Sequence, residues 1–142
     1  LGLVQLPYNI YDQRYVTSGI AALAHERGVE VHIRSALLQG LLLMAPDHLP
    51  PYFSRIRDHH AELWAKRQKF GLTPLEAALG FSLACPTADR VIVGCEQLAQ
   101  LSEVIAAAKT TMPRDFMVGM ESFAVSEESV IDPARWTLQT RP

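Results

Sequence analysis

The sequence predicts an α/β fold in which parallel strands carry helices on their outer side. Three observations support this class. Apolar segments alternate along the chain as strand, helix, strand, helices, strand and helix, which is the pattern of βαβ units. The first helix runs into the second strand at Gly28 with almost no connection, as is usual in such folds. Polar residues follow the strand bodies, where ligands gather in parallel sheets.

The first two strands are predicted from short apolar runs. Leu1–Asn9 reads LGLVQLPYN and is apolar apart from Gln5, as expected of a strand buried in a parallel sheet. Pro7 ends its ladder because proline has no backbone N–H to donate. Val29–Ser35 reads VEVHIRS and forms the second strand.

A helix is predicted between these strands over Thr17–Gly28. Thr17 or Ser18 can cap its first turn, and Gly28 suits the left-handed position that often ends a helix. The apolar residues predicted to share one face of this helix are Ile20, Leu23 and Ala24.

The middle of the chain is predicted to be a proline-rich loop followed by two helices. Ser54–Phe70 and Leu72–Pro86 have helical composition. At the second helix, Thr73 is a plausible N-cap, Pro74 suits the first helical position, and Glu76 stands three residues after the cap. This arrangement is typical of a capping box.

The last predicted β/α unit combines the strand Asp89–Gly94 with the helix Glu96–Lys109. Residues 112–142 form a tail with a short helix over Arg114–Phe123 and the sequence DPARW near its end. The predicted apolar stripe of the helix Glu96–Lys109 consists of Leu98, Leu101, Ile105 and Ala108.

Composition favours one globular domain. The chain has 142 residues, is 49% hydrophobic and 20% charged, and carries a net charge of -2, unlike a disordered chain. Lysine and arginine do not cluster on one predicted face, which argues against a nucleic-acid partner. With no signal peptide, disulfide pattern or long apolar run in the sequence, we expect a cytoplasmic location and no membrane partner. The start at Leu1 suggests a fragment or a processed product.

The sequence predicts neither a metal site nor a nucleophile. His59 and His60 in the run DHHAE are adjacent on a predicted helix, so their side chains diverge and make a poor pair of metal ligands. Cys95 follows Gly94, but no nearby residue offers it a base.

Three separated motifs resemble the C-terminal half of an aldo/keto reductase. They are VQLPYNIYDQR at the first strand, GVEVHIRSALLQGLLL at the second, and DRVIVGCEQLAQLSEVIAAA at the third. Their order and spacing, together with DPARW, resemble a bacterial branch of that family. The resemblance covers essentially the whole chain.

This resemblance implies a (β/α)8 TIM barrel that passes hydride between a nicotinamide cofactor and a small carbonyl substrate. The three strands would be the sixth, seventh and eighth, so residues 1–142 would form a single partial domain. The family's Asp, Tyr, Lys and His tetrad comes from the early strands. None of its members can be matched here. Tyr8, Tyr11 and Tyr15 are tyrosines, but they do not stand at the catalytic position. We therefore expect no catalytic residue and no reductase activity in this chain alone.

The resemblance assigns the cofactor's nicotinamide and phosphate side to the first two motifs. Gln5 matches a glutamine that binds the nicotinamide carboxamide, a task that needs both a donor and an acceptor. Arg34 stands where many members have an aromatic residue on the nicotinamide ring; its planar guanidinium can stack there or neutralise the pyrophosphate. The residues that match the loop along the pyrophosphate are Ser35, Leu37, Gln39 and Gly40.

The third motif matches the adenosine side. Gly94 begins the turn into the last helix, and Gln100 and Glu103 match adenosine contacts. Glu96 stands where NADPH-using members carry serine or a basic residue. Because a carboxylate repels the 2'-phosphate and can accept from a free 2'-hydroxyl, NAD(H) is favoured over NADP(H). Val104 replaces a common asparagine, which leaves one adenine contact open.

Each assignment has a structural alternative. Gln5 can be a satisfied core amide, and Arg34 can pair with Asp12 or with a helix carboxylate. Gln39 and Gly40 can simply shape a turn. The acids that can be ordinary residues of the last helix are Glu96 and Glu103.

The sequence also fits a second class of function. The chain can be a non-catalytic half-barrel that binds nucleotide or self-associates. An open barrel exposes strand edges and apolar surface, so we expect either a homo-oligomer or pairing with a missing N-terminal half.

Overall fold

The computed structural model describes residues 2–137. Their parallel sheet has the order β1-β2-β3, with β1 at Leu3–Pro7, β2 at Glu30–Arg34 and β3 at Arg90–Val91. The predicted α/β class with parallel strands is confirmed. Two parts of the sequence predictions, Leu1 of the first strand and residues 138–142 of the tail, lie outside the described residues.

The register gives the sheet one apolar and one polar face. Leu6 pairs with Ile33 on the buried face, where Ile33 lies in turn beside Val91. On the opposite face, Gln5 pairs with His32, and His32 pairs with Arg90. The helices pack on the apolar face, and the polar face is open.

The third strand is shorter than the predicted Asp89–Gly94. The backbone N–H groups of Asp89 and Ile92 donate to carbonyls of β2, each at 2.8 Å, so pairing extends one residue beyond each end of β3. Past Ile92 the neighbouring strand β2 has ended, and the described residues place no strand on the outer side of β3. Val93 and Gly94 are therefore not paired with another strand among the described residues.

The helices follow the predicted order, with several divisions. The 3₁₀ turns span Leu38–Leu43, Pro46–His48, Pro51–Ile56, Met120–Phe123 and Pro133–Arg135, and the first of them is interrupted by a kink at Gln39 and Gly40. The α-helices are α1 (Arg14–Thr17), α2 (Ile20–Glu26), α3 (Arg57–Lys69), α4 (Pro74–Leu83), α5 (Leu98–Ala108), α6 (Arg114–Met117) and α7 (Glu128–Ile131).

The capping box predicted for α4 is confirmed. The Thr73 hydroxyl accepts from the Glu76 backbone N–H at 3.2 Å, and the Thr73 N–H donates to the Glu76 carboxylate at 2.7 Å. The hydrogen bond from the Thr73 backbone, with a second one from the Thr110 hydroxyl at 2.8 Å, lowers the pKa of the Glu76 carboxyl. The start of α4 is thus fixed by both partners.

The cap predicted for α2 is wrong. The Thr17 hydroxyl instead donates to the Gln13 carbonyl at 2.9 Å, one turn earlier. Gly19 is the N-cap and has a left-handed backbone with φ of 78°. Gly28 has φ of 69°, as predicted for a helix end.

Two predicted helical segments differ in detail. The segment over Arg114–Phe123 is divided because Gly119, with φ of 76°, separates α6 from the following 3₁₀ turn. The segment from Ser54 begins inside a 3₁₀ turn, and α3 starts only at Arg57.

The outer helices α2 and α5 are loosely covered. Ile20 and Leu23 of α2 are about half exposed. The predicted stripe of α5 is also exposed, and Ala107 is its buried residue. Within residues 2–137, no helix is long and apolar enough to cross a membrane.

Candidate functional site

A cleft of about 690 Å³ opens at the carboxyl edge of the sheet, between the segment after β2 and the segment that leads from β3 into α5. Parallel strands bring their carboxyl ends to one edge, so segments far apart in sequence meet here. The predicted site residues that line this cleft are Ser35, Leu37, Gln39, Gly40, Gly94, Glu96, Gln100 and Glu103.

The wall that follows β2 has an unusual backbone. Ser35, Leu38 and Gln39 have positive φ angles of 59°, 47° and 53°, and Gly40 follows at 84°. L-residues adopt this left-handed region at a cost of about 1 kcal/mol or more each. Leu38, within this wall, and Leu41, which follows it, are fully buried, and their packing holds the strained segment in place.

The opposite wall is built by the start of α5. The Glu96 backbone N–H donates to the Gln100 side-chain oxygen at 2.8 Å, which folds the entry to the helix back on itself. The N-cap Gln97 makes no side-chain capping bond. The first N–H groups of a helix lack partners within the helix and favour anions, but the carboxylates of Glu96 and Glu103 border the same wall and oppose a second negative charge there.

Gln5 and Arg34 do not line the cleft. Gln5 is exposed on the open face of the sheet, so the alternative of a buried core amide is wrong. The Arg34 guanidinium is exposed and donates to the Ser35 hydroxyl at 3.2 Å. Its suggested partner Asp12 is instead bound by Arg14, at 2.9 and 3.0 Å.

Charge is distributed unevenly around the cleft. Among the described residues that line it, none is a lysine or an arginine, and the charged ones are Glu96 and Glu103. Arg34 approaches from outside through Ser35. The end of the cleft at Glu96 and Glu103 is therefore acidic, and the end at Ser35 lies beside the Arg34 guanidinium.

The two glycines of the walls leave space for a ligand. A Cβ added at Gly40 or at Gly94 would meet no other atom within 4 Å, so both backbones border open volume. The size of the cleft is in the range of small-molecule sites. Glycine at these positions lets a ligand approach the backbone closely.

Sequence reasoning missed the apolar part of the cleft. Leu75 of α4 and Leu43 also line it, and no local signal in the sequence indicates that α4 reaches this edge. Cys95 and Val104 lie on the α5 side. Their position follows from their neighbours in the third motif.

The two adjacent histidines serve separate structural roles. His60 is buried and donates from Nε2 to the Met44 carbonyl at 2.7 Å, so its Nδ1 accepts from the Tyr11 hydroxyl at 2.5 Å. His59 contacts the Phe123 carbonyl at 3.1 Å instead. Burial lowers the pKa of His60 and raises that of Tyr11. Across residues 2–137 no group of His, Cys, Asp and Glu is arranged to hold a metal.

Comparison with known proteins now identifies the family. The sequence model of the Aldo/keto reductase family matches residues 2–124. This chain belongs to the aldo/keto reductase family. Aldo/keto reductases in general are oxidoreductases that use nicotinamide cofactors. A comparison with curated protein sequences gives no match.

Solved structures agree on the fold. The aldo-keto reductase AKR11C1 from Bacillus halodurans has 22% identity and a TM-score of 0.69 in its apo and holo forms; the match covers 96% of this chain and 47% and 46% of those chains. The thermostable aldo-keto reductase Tm1743, solved with the inhibitor epalrestat, has 20% identity and a TM-score of 0.61, covering 86% of this chain and 39% of its own. The chain thus has the α/β architecture of a TIM-barrel aldo-keto reductase and spans less than half the length of each.

Proposed function

We propose that this chain supplies the nicotinamide-cofactor side of an aldo/keto reductase that reduces a carbonyl to an alcohol. The observation that carries the proposal is the cleft, in which Ser35–Gly40 and Gly94–Glu103 face one another across the carboxyl edge of the sheet. These are the segments that match the family's cofactor motifs. When bound, the nicotinamide supplies hydride chemistry, and this chain binds and orients it.

The polarity of the cleft suggests how a dinucleotide lies in it. Its pyrophosphate would run along Ser35 and Gly40, where backbone approaches closely and the Arg34 guanidinium lies nearby. Its adenosine half would lie at Gln100 and Glu103. Gln5, one strand away on the open face, would bind the carboxamide as an amide donor and acceptor.

The acidic end supports NAD(H) over NADP(H). Glu96 and Glu103 border the cleft where the adenosine ribose would lie, and the described lining offers no cation to a 2'-phosphate. A carboxylate instead suits a free ribose hydroxyl, as at other NAD sites.

Calorimetric titration of the purified chain with NADH and, in parallel, with NADPH tests this proposal. We expect NADH to bind more tightly. The Glu96→Lys variant should shift the preference towards NADPH by about tenfold, because a paired charge near a surface contributes about 1 kcal/mol or more. Glu62→Lys is the matched control, since Glu62 is exposed on α3 and does not line the cleft.

The outcomes separate the parts of the proposal. Tighter binding of NADPH by the unmodified chain would contradict the role of Glu96 and leave cofactor binding intact. Failure to bind either nucleotide at millimolar concentration would contradict the cofactor function of this chain. An equal shift in E96K and E62K would mean that net charge, and not the position of Glu96, sets the preference.

We further propose that the chain alone does not turn over. Tyrosine is the proton donor that the resemblance implies, yet the hydroxyl of Tyr11 is buried and occupied by His60, while Tyr8 is also buried. Neither can protonate a substrate in the cleft. NADH oxidation with a generic aldehyde, measured on the chain with its intact mass verified, should stay at the uncatalysed rate; measurable turnover would contradict this.

A second candidate function is that of a half-barrel that pairs through its open sides. Exposed apolar residues lie on α2 at Ile20 and Leu23 and on α5 at Leu98, Leu101 and Ile105. The outer edges of β1 and β3 have no partner among residues 2–137. Exposed apolar surface and open edges favour association.

The number of strands in a TIM barrel indicates that a different polypeptide segment, and not a second copy of this chain, covers these exposed helices and strand edges. A TIM barrel has eight strands, whereas two copies of this three-stranded sheet would supply about six. We therefore expect further β/α units, the missing N-terminal half, to cover both sides. Solution mass between micromolar and millimolar concentration tests this. A discrete homodimer would favour self-association, and a clean monomer throughout would contradict self-association and agree with pairing to the N-terminal half.

A further inference from the structure

Asn9 links the turn after β1 to the wall after β2. It is fully buried although its side chain is an amide. Its Oδ1 accepts from the backbone N–H groups of Tyr11 and Asp12, both at 2.9 Å. Its Nδ2 donates to the Ser35 carbonyl at 3.1 Å. The two ends of one amide therefore hold two different segments of the chain.

The segment at the far end requires such support. Ser35, Leu38 and Gln39 have left-handed backbones, which persist only where the surroundings hold them. Two hydrogen bonds converge on the Ser35 carbonyl, one from Asn9 and one from the Leu38 backbone N–H at 2.9 Å. Loss of the first leaves the turn with its local bond alone.

We propose that Asn9 is a positioning residue that holds the Ser35–Gly40 loop in the left-handed form that lines the cleft. Asn9 itself does not line the cleft and acts through the Ser35 carbonyl. The effect on nucleotide affinity rests on the proposed function, whereas the effect on the order of the loop does not.

A competing role is that Asn9 only shapes the turn after β1. The chemistry of the side chain separates the two roles, because Oδ1 serves the turn and Nδ2 serves the loop. The Asn9→Asp variant keeps an acceptor for Tyr11 and Asp12. It removes the donor and places a carboxylate oxygen against the Ser35 carbonyl, so it breaks the link selectively.

Gln13 provides a matched control. It is also a buried amide, and its Nε2 donates to the carbonyls of Ile10 and Met120 at 2.8 and 2.9 Å. Neither carbonyl belongs to the cleft. Gln13→Glu therefore makes the same chemical change at a similar depth without touching the loop.

Two readouts test the proposal on the full chain. Amide hydrogen exchange followed by NMR reports on Leu38, whose N–H bonds to Ser35, and calorimetry reports NADH affinity. In N9D we expect exchange at Leu38 to accelerate about tenfold and NADH to bind about tenfold more weakly, which is the usual effect of one lost hydrogen bond. Q13E should change neither quantity relative to the rest of the protein.

A rescue experiment distinguishes positioning from general destabilisation. Glycine adopts a φ of about 59° without the cost that serine bears. In the background of Ser35→Gly, N9D should therefore accelerate Leu38 exchange less than it does in the unmodified chain. Equal effects in both backgrounds would contradict a role in holding a strained loop.

The remaining outcomes are decisive as well. Unchanged Leu38 exchange in folded N9D protein would overturn the proposal. If N9D does not fold, Asn9→Ser replaces it, since serine keeps an acceptor for the turn but is too short to reach Ser35. If the unmodified chain binds no nucleotide, the proposed function fails, and the exchange comparison still decides whether Asn9 orders the loop.

Discussion

The wall of the cleft after β2 and the wall after β3 differ in how firmly the chain holds them. Leu38 in the first wall is 0% exposed, and Leu41 and Leu42, which follow it, are also buried. Leu98 in the second wall is 79% exposed, and α5 packs mainly on α4. The first wall also contains left-handed residues, so its firm packing holds a costly shape, whereas the second has an ordinary helical backbone.

This difference indicates that the two walls of the cleft contribute differently to ligand binding. A wall fixed by burial is organised before a ligand arrives, which lowers the cost of binding. A wall held by one neighbouring helix can change its side chains without unfolding the protein. We expect affinity to depend on the first wall and specificity to be adjustable on the second.

The largest expected contrast is between two leucine truncations. Leu38→Ala empties a fully buried position and should lower the free energy of unfolding by about 2–5 kcal/mol. Leu98→Ala removes an exposed side chain and should change it by less than about 0.5 kcal/mol. Urea unfolding of both variants measures the contrast, and similar losses would mean that the walls are equally well held.

Next in size is the effect at the buried Tyr11–His60 pair. Tyr11→Phe leaves the buried Nδ1 of His60 without its donor and should cost about 1–3 kcal/mol. Tyr8→Phe is the control at another buried tyrosine. Burial raises the pKa of the Tyr8 hydroxyl to about 12.

The same pair predicts a pH dependence. Burial lowers the pKa of folded His60, so the unfolded chain binds the proton more tightly. The stabilisation is complete above the unfolded pKa of about 6.5 and is lost as pH falls below it towards the lowered folded value. The urea concentration at the midpoint of unfolding, measured from pH 8 to pH 5, should therefore decrease below about pH 6.5. His60→Gln should make this decrease with pH smaller. An equal slope in H60Q would assign the dependence to other groups.

A smaller contrast comes from one methyl group added to each wall. Gly40→Ala places alanine at φ of 84° and should cost about 1–2 kcal/mol of stability. Gly94 has no such backbone, and a Cβ there meets open space, so Gly94→Ala should leave stability unchanged. Both should weaken NADH binding under the proposed function; equal stability losses would remove the distinction between the walls.

The smallest effect is expected on the outer side of the second wall. Leu101 is exposed on α5, so Leu101→Gln should change the unfolding free energy by less than about 0.5 kcal/mol in the isolated chain. A loss above about 2 kcal/mol would mean that another element covers this helix. Ala107→Gln, at the buried residue of α5, is the positive control.

The parts of the fold that sequence predicts well depend on local chemistry. Thr73 and Glu76 form a capping box through their spacing alone, and Gly28 ends a helix because it tolerates a left-handed backbone. The alternation of elements likewise defines a parallel sheet. The capping box and the helix end lie within a few residues of the structure they specify.

The errors concern tertiary context. Periodicity identifies the apolar faces of α2 and α5 but not what covers them, and Ile20 and Leu101 are exposed here. Thr17 has the chemistry of a cap yet bonds back to Gln13. The position of Leu75 in the cleft depends on how α4 packs, and the role of Asn9 depends on the register that brings it to Ser35.

Both walls of the cleft come from one uninterrupted stretch of polypeptide, residues 35–104. A single genetic crossover upstream of β1 therefore transfers the whole cleft to another barrel, with Asn9 and the loop it contacts kept together. Under the proposed function, chimaeras made at that boundary should inherit the nicotinamide-cofactor preference of this segment. Modularity of this kind makes the chain a natural unit of exchange for engineering.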